Sequence, residues 1–330
     1  MSDRNEIVSR VTAALEGKPA PVAIRNARKV DARGERRGYW VVSDAAGVIV
    51  AAGTGEETFE HYCRTVGLDP ADRNAVIDAE GRILTPGYVD IHAHGAWEKS
   101  FDDGPDGIDV ARAGHAVHGT TRQVLSLITN PVDVICRNIR TVRATMESGR
   151  PDILGCHLEG PFLSSAKKGA QNSDFLHDPD VPMLKRLQAD ARGLVKLVTL
   201  APEQPGSMEF IQAAAEEGIH VSIGHTVADY ETASAAFAAG ADHATHLYNG
   251  MPSLHHREPA VIGAAFDNKK VMPEIICDGI HVHGSVIRAT FAMFGAERMI
   301  LISDSLRATG MPDGEYPFGG QMIEVHGNRA

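Results

Sequence analysis

Eight short apolar runs follow one another after residue 84, most of them separated by ten or more residues with helical spacing. Before them lies a set of strand-like runs punctuated by Gly and Asp. Together these observations predict an α/β chain: a (β/α)8 TIM-type barrel with a small β-sandwich domain. A third observation agrees with the barrel. His, Glu and Asp gather at the ends of the predicted strands, and in a barrel those ends converge on one rim.

Residues 1–20, MSDRNEIVSRVTAALEGKPA, mix charges with apolar residues and read as an amphipathic N-terminal helix. They carry no apolar core flanked by a cleavage site, so neither a signal peptide nor a membrane span is expected. Residues 21–84 are assigned to the small domain: VAIRNARKV, GYWVVSD, GVIVAAGTG and NAVIDAEGRIL read as strands, with Ala45 to Gly47 a tight hairpin. Residues 85–330 are assigned to the barrel. Its strands are expected at 88–92, 121–127, 153–157, 195–200, 220–223, 243–246, 274–277 and 299–303. Between them, stretches such as MEFIQAAAEEG and YETASAAFAAG read as helices closed by a C-terminal Gly. No G-x-G-x-x-G or G-x-x-x-x-G-K-[ST] follows a strand, which removes the usual dinucleotide and P-loop readings.

Composition narrows the function. With 43% hydrophobic and 23% charged residues, the 330-residue chain reads as an ordinary soluble protein. A net charge of −11 argues against nucleic acid or anionic membranes as partners. An anionic small molecule would need a local positive pocket. Cys63, Cys136, Cys156 and Cys277 form no C-x-x-C pair and are too few for a disulfide framework, which fits reduced thiols in the cytoplasm.

The chemistry centres on LTPGYVDIHAHG, where His92 and His94 leave an extended strand on the same face. A bare H-x-H is more often a pair of structural histidines, but the partners downstream reverse that balance. His157 and Glu159 end the third strand, His225 follows the fifth, His246 ends the sixth, Asp278 follows the seventh and Asp304 the eighth. Glu159, His225 and His246 make a two-His, one-carboxylate set that leaves a position on a divalent metal open to water. Such a metal lowers the pKa of its water from about 15.7 to about 7, which points to a hydrolase. Asp304 would take that proton and pass it to a leaving group. His92 and His94 would add a second metal site or orient the water, and the residues alone leave one metal or two open.

The combination of PGYVDIHAHG, GTT, HLEGPF, GHT, THLYNGMP, REPAVIG, DGIHV and SDSLRATGMPDG resembles the N-acetylglucosamine-6-phosphate deacetylase family of the amidohydrolase superfamily, over residues 20–330. HLEGP and THLYNGMP are specific to that family. The resemblance implies hydrolysis of N-acetyl-D-glucosamine 6-phosphate to D-glucosamine 6-phosphate and acetate by a metal-dependent barrel, usually as a homodimer. It implies Glu159, His225 and His246 as metal ligands and Asp304 as the catalytic acid/base. His92 and His94 match members with a second metal; zinc leads the candidates, with iron, manganese and others open. Asn249 and Gly250 are implied in sugar binding, and Arg257 and His281 in phosphate binding, part of that pocket coming from the neighbouring subunit. Gln171 stands where many members have a substrate-contacting His; its amide can donate a hydrogen bond but cannot be cationic. The chain stops at Ala330 in an expected hairpin, EVHGNRA, where relatives continue through an eighth barrel helix and further strands, so it reads as an incomplete version of a longer protein.

Two rival readings remain at this level. A dihydroorotase or hydantoinase commonly bridges its metals with a carboxylated Lys, whereas the bridging position here is Glu159. A catalytically silent barrel acting as an interaction module is disfavoured by the intact Glu159, His225, His246 and Asp304.

Overall fold

A computed structural model describes residues 2–17, 19–327 and 329, which form two compact units: residues 16–88, and the described residues of 1–15 together with 89–330. Helix α1 spans Ser2–Glu16, shorter than the expected 1–20, with Met1 and Lys18 outside the described residues. The Arg4 guanidinium stands 5.9 Å from the ring centroid of Trp97.

In the first unit β1 (Val22–Asp31), β2 (Gly34–Ser43) and β3 (Ile49–Thr54) run antiparallel, while β4 (Val76–Asp78) and β5 (Ile83–Leu84) both pair parallel with β1. The turn at 45–47 joins β2 to β3, where the Asp44 carboxylate accepts from the N–H groups of Ala46 and Val48. A sandwich needs a second facing sheet. Among the described residues this unit has one five-stranded sheet, and a helix takes the place of the second: α2 (Glu56–Thr65). Phe59, Tyr62, Cys63 and Val66 recur at helical spacing and pack with Ala23, Trp40 and Val42. The Trp40 and Phe59 rings lie 5.9 Å apart, and the Trp40 indole donates to Gly55 O. Of the β-sandwich expected here, the described residues show one sheet with a helix on it. A ten-residue helical stripe was hidden between stretches that alternate like strands.

The second unit holds eight strands in the path β15-β14-β13-β12-β11-β10-β9-β6. They are β6 (Tyr88–Asp90), β9 (Thr120–Ile128), β10 (Ile153–Glu159), β11 (Val195–Leu200), β12 (His220–Ile223), β13 (His243–Ala244), β14 (Met272–Ile276) and β15 (Ile300–Ile302). A short hairpin, β7 (Gly95–Ala96) with β8 (Lys99–Ser100), follows β6. Helices α3 (Gly104–Ala116), α4 (Val132–Glu147), α5 (Val181–Ala191), α6 (Ser207–Glu216), α7 (Tyr230–Ala239), α8 (Ala260–Asp267) and α9 (Gly284–Phe294) alternate with them. All pairs from β9 to β15 are parallel. Between β6 and β15 the barrel is closed at its rim. Asp304 N donates to His92 O at 2.9 Å, His94 N donates to Ser305 O at 2.8 Å, and Ser303 Oγ donates to Asp90 at 2.6 Å.

Alternation along the strands sorts the side chains. Leu125, Leu127, Val198, Val221 and Ile275 face outward against helical stripes such as Ile135, Ile139 and Val142 of α4, and each such buried side chain contributes about 1.5–3 kcal/mol. Ser126, His157, Thr199, Thr245 and Ser222 are fully buried in a hydrogen-bonded chain with links of 2.6 to 3.0 Å. His157, a strand-end candidate from the sequence, is absorbed there. Burial, then the neighbouring His92, push its imidazole well below its ordinary pKa.

Two sequence expectations shift here. The first and sixth barrel strands end at Asp90 and Ala244, so His92, His94 and His246 sit on the turns just past them. The hairpin expected over EVHGNRA is an isolated bridge between His326 and Arg329, with Asn328 and Ala330 outside the described residues. The full hairpin comes just before it: β16 (Gly314–Phe318) and β17 (Gln321–Val325) around Gly319 and Gly320, whose φ of 57° and 79° suit a two-residue turn. No helix among the described residues is long and apolar enough to cross a membrane.

Candidate functional site

Glu159, at the end of β10, is 3% exposed and stands among four imidazoles. Its Oε1 lies 3.1 Å from His225 Nε2, 3.3 Å from His246 Nε2 and 3.2 Å from His92 Nε2, and its Oε2 lies 3.0 Å from His94 Nε2. Asp304 Oδ1 is 3.4 Å from both His92 Nε2 and His94 Nε2. Two overlapping groups result, Glu159, His225 and His246, and His92, His94, Glu159 and Asp304, each compact enough to hold a metal ion.

The hydrogen bonds around these rings test that fit. His225 Nδ1 faces Lys167 O at 2.7 Å, and a carbonyl can only accept, so Nδ1 carries the proton. In the neutral ring the Nε2 lone pair then points at Glu159 Oε1 and, at 3.1 Å, at His246 Nε2. His92 repeats the logic, with Nδ1 donating to Glu274 Oε2 at 3.0 Å and Nε2 turned toward Glu159 and Asp304. Lone pairs converging on carboxylate oxygens repel one another unless a cation lies among them. The electrostatics show how strongly these groups are coupled to one another. Burial alone would lower His94, but Glu159 and Asp304 outweigh it and raise the imidazole to about 9. Burial would raise Glu159, yet His92, His225 and His94 hold it well below the usual carboxylate range.

The backbone is shaped to place these groups. His225, His246 and Asp304 have φ of 47°, 28° and 48°, the left-handed region that non-glycine residues seldom occupy. A Cβ on Gly250 would lie 3.1 Å from His225 Nδ1, and one on Gly169 would lie 3.2 Å from His225 Cε1, so glycines let the chain close on both sides of the ring. The rim opens into a cavity of about 690 Å³.

Of the other residues named from the sequence, Asn249, Gly250, His281 and Gln171 line that cavity. Asn249 folds its amide back onto His246 O and Leu247 O, and His281 Nδ1 is held by Asp278 at 2.7 Å. Gln171 donates to Glu159 Oε2 at 2.7 Å and accepts from Thr129 N at 2.9 Å, so its amide ties the central carboxylate to the backbone after β9. Arg257 is exposed, donates to His256 Nε2 and is absent from the cavity lining. Of the phosphate-binding pair implied by the resemblance, His281 lines the cavity and Arg257 does not. The sequence reading missed Glu274, which is fully buried against His92 and His246. A glutamate inside the apolar run VMPEII was the available signal.

The amidohydrolase family model matches residues 83–313, which takes in the whole rim. The chain belongs to the amidohydrolase family. Among relatives of this amidohydrolase, the N-acetylglucosamine-6-phosphate deacetylase of Bacillus subtilis (strain 168) is 41% identical over 75% of this chain and 64% of its own length. The N-acetylgalactosamine-6-phosphate deacetylase of Escherichia coli O157:H7 is 34% identical over 77% of this chain and 68% of its own. A variant of the Mycobacterium smegmatis N-acetyl-D-glucosamine-6-phosphate deacetylase, solved in complex with N-acetyl-D-glucosamine-6-phosphate, superposes with a TM-score of 0.80 at 32% identity, covering 93% of this chain and 77% of that one. The chain spans less than two thirds of the length of the Bacillus relative.

Proposed function

We propose that this chain hydrolyses the N-acetyl group of N-acetyl-D-glucosamine 6-phosphate, giving D-glucosamine 6-phosphate and acetate in amino sugar catabolism. The observation that carries the reading is Glu159 held among His92, His94, His225 and His246 at the floor of the cavity, with Asp304 beside it. The named relatives and the HLEGP and THLYNGMP motifs support the substrate class. Glu159, His225 and His246 would hold one divalent ion and His92 and His94 a second, zinc before iron or manganese, since imidazole and carboxylate suit several metals. When bound, such ions polarise a carbonyl and lower the pKa of water.

The chain's own residues do the rest. Asp304 takes the proton of the attacking water and delivers it to the amine nitrogen as the carbon–nitrogen bond breaks. Gln171 holds the Glu159 carboxylate in place. Gly250 and Asn249 meet the sugar, and His281 meets the phosphate. Arg257 joins the phosphate pocket across a homodimer, which suits its exposed position. The reading includes a cytoplasmic location and no nucleic-acid or membrane partner. The test is acetate or ring-opening turnover of the metal-loaded protein on N-acetylglucosamine 6-phosphate, its galacto epimer, dihydroorotate and hydantoin. Turnover of an acetylated sugar phosphate alone is expected; turnover confined to a cyclic amide, or none at all, overturns the reading.

A further inference from the structure

Glu274 sits on β14, inside the barrel, two residues before Ile276 of the cavity wall. It is fully buried, and its Oε2 does two things at once: it accepts from His92 Nδ1 at 3.0 Å and from His246 N at 3.3 Å. Its Oε1 finds no hydrogen-bond partner among the described residues. A buried carboxylate without a full set of donors is costly, so its retention beside two candidate ligands calls for a reason.

We infer that Glu274 is a positioning residue of the metal centre, fixing His92 with its proton on Nδ1 so that Nε2 is presented as a ligand. A ring free to choose its tautomer would spend part of its time with a proton where the ligand lone pair is needed, and would rotate. The carboxylate removes both freedoms and makes the imidazole a stronger donor. Because the same oxygen receives the His246 backbone N–H, it also ties the turn carrying a ligand of the first group to a ring of the second. The other buried neighbours of His92 cannot substitute. His157 meets it only edge to face, at 4.6 Å between centroids, with both its nitrogens bound to hydroxyls.

The inference rests on the rim being a metal centre, as proposed above, and its test separates the two. The full chain is stripped with a chelator and titrated with Zn2+ against a chromophoric competitor, in parallel with an acetate-release assay. Glu274→Ala is expected to weaken one Zn2+ by ten- to a hundredfold, the usual scale for loss of such a partner. Glu274→Gln, which keeps an acceptor for Nδ1–H, should fall between that variant and the wild type. In a His92→Ala background Glu274→Ala should add clearly less than in the wild type, because the part that acts through the ring is already gone and only the tie to His246 N remains. Glu274→Gln decides the matter by itself if the Ala variant does not fold. Zn2+ titrations of the Gln or Ala variant that superpose on the wild type, or full additivity with His92→Ala, overturn the inference. A shifted titration in a protein that releases no acetate would leave it standing and remove the proposed substrate instead.

Discussion

At the scale of single residues, His225, His246 and Asp304 sit on left-handed backbone at a cost of about 1–3 kcal/mol each. The neighbouring chain holds them there: Ser164 N donates to His225 O, Thr226 N to Gly250 O and Asp304 N to His92 O. Gly250 has little room to change, with φ of 58° and a ring 3.1 Å from any added Cβ. Gly250→Ala should therefore displace His225 and lower the bound metal per chain, read by elemental analysis. Asp304→Asn should reduce kcat by at least about a hundredfold with the fold retained, since an amide cannot move the proton; near wild-type turnover would remove Asp304 from the acid/base role. Arg257→Ala should raise KM for the 6-phosphate sugar by roughly tenfold or more, the worth of one charge-assisted hydrogen bond. Comparing kcat/KM on the plain sugar shows whether the loss is specific to phosphate.

Among the elements, the N-terminal ends of β12 and β13 are joined by a clamp in which Asp242 faces His220 Nδ1 and His243 Nδ1, both at 2.7 Å. The hydrogen bond that His220 donates to Asp242 raises its imidazole above the ordinary pKa, against burial and the nearby Lys196. Burial would raise Asp242, but His220 and His243 hold it far below the carboxylate range. A raised His stabilises fully below its unfolded pKa, and that contribution is lost as pH climbs through the folded value; a lowered Asp stabilises above its unfolded pKa and is lost as pH falls. The clamp should be strongest between roughly pH 4 and 6.5. Melting curves of wild type and His220→Ala should differ most in that window and converge toward pH 9. A constant difference would mean that packing, not titration, is the role of His220.

For the whole molecule, an acidic chain of net charge −11 concentrates buried carboxylates and imidazoles at one rim. A ligand that binds only the folded state stabilises it by about 2.7 kcal/mol at a concentration a hundredfold above Kd. Stripping the metal should thus lower Tm by roughly 4 to 5 °C, and restoring Zn2+ should bring it back. A Tm indifferent to chelation would sink the metal assignment. The effect belongs to the barrel as a unit, because the ligands come from β10 and from the turns after β6, β12, β13 and β15.

The sequence alone determined what local chemistry can express. Apolar runs bounded by turn residues marked all eight barrel strands, because the side chains that pack under the helices are apolar. Glu159, His225, His246 and Asp304 were legible as strand-end polar residues, and His92 with His94 by spacing. Tertiary structure decided the rest, for reasons of distance and of backbone shape. Glu274 lies 182 residues from His92, and Ser303 lies 213 from Asp90, so neither partnership leaves a local pattern. Gln171 looked like a ligand contact until the fold set its amide against Glu159. The helix α2 carried a readable stripe at Phe59, Tyr62, Cys63 and Val66, but only its packing on Trp40 shows that the small unit covers its sheet with a helix. Side-chain identity fixes which groups are able to meet a cation. The closure of the barrel fixes that they point at one place.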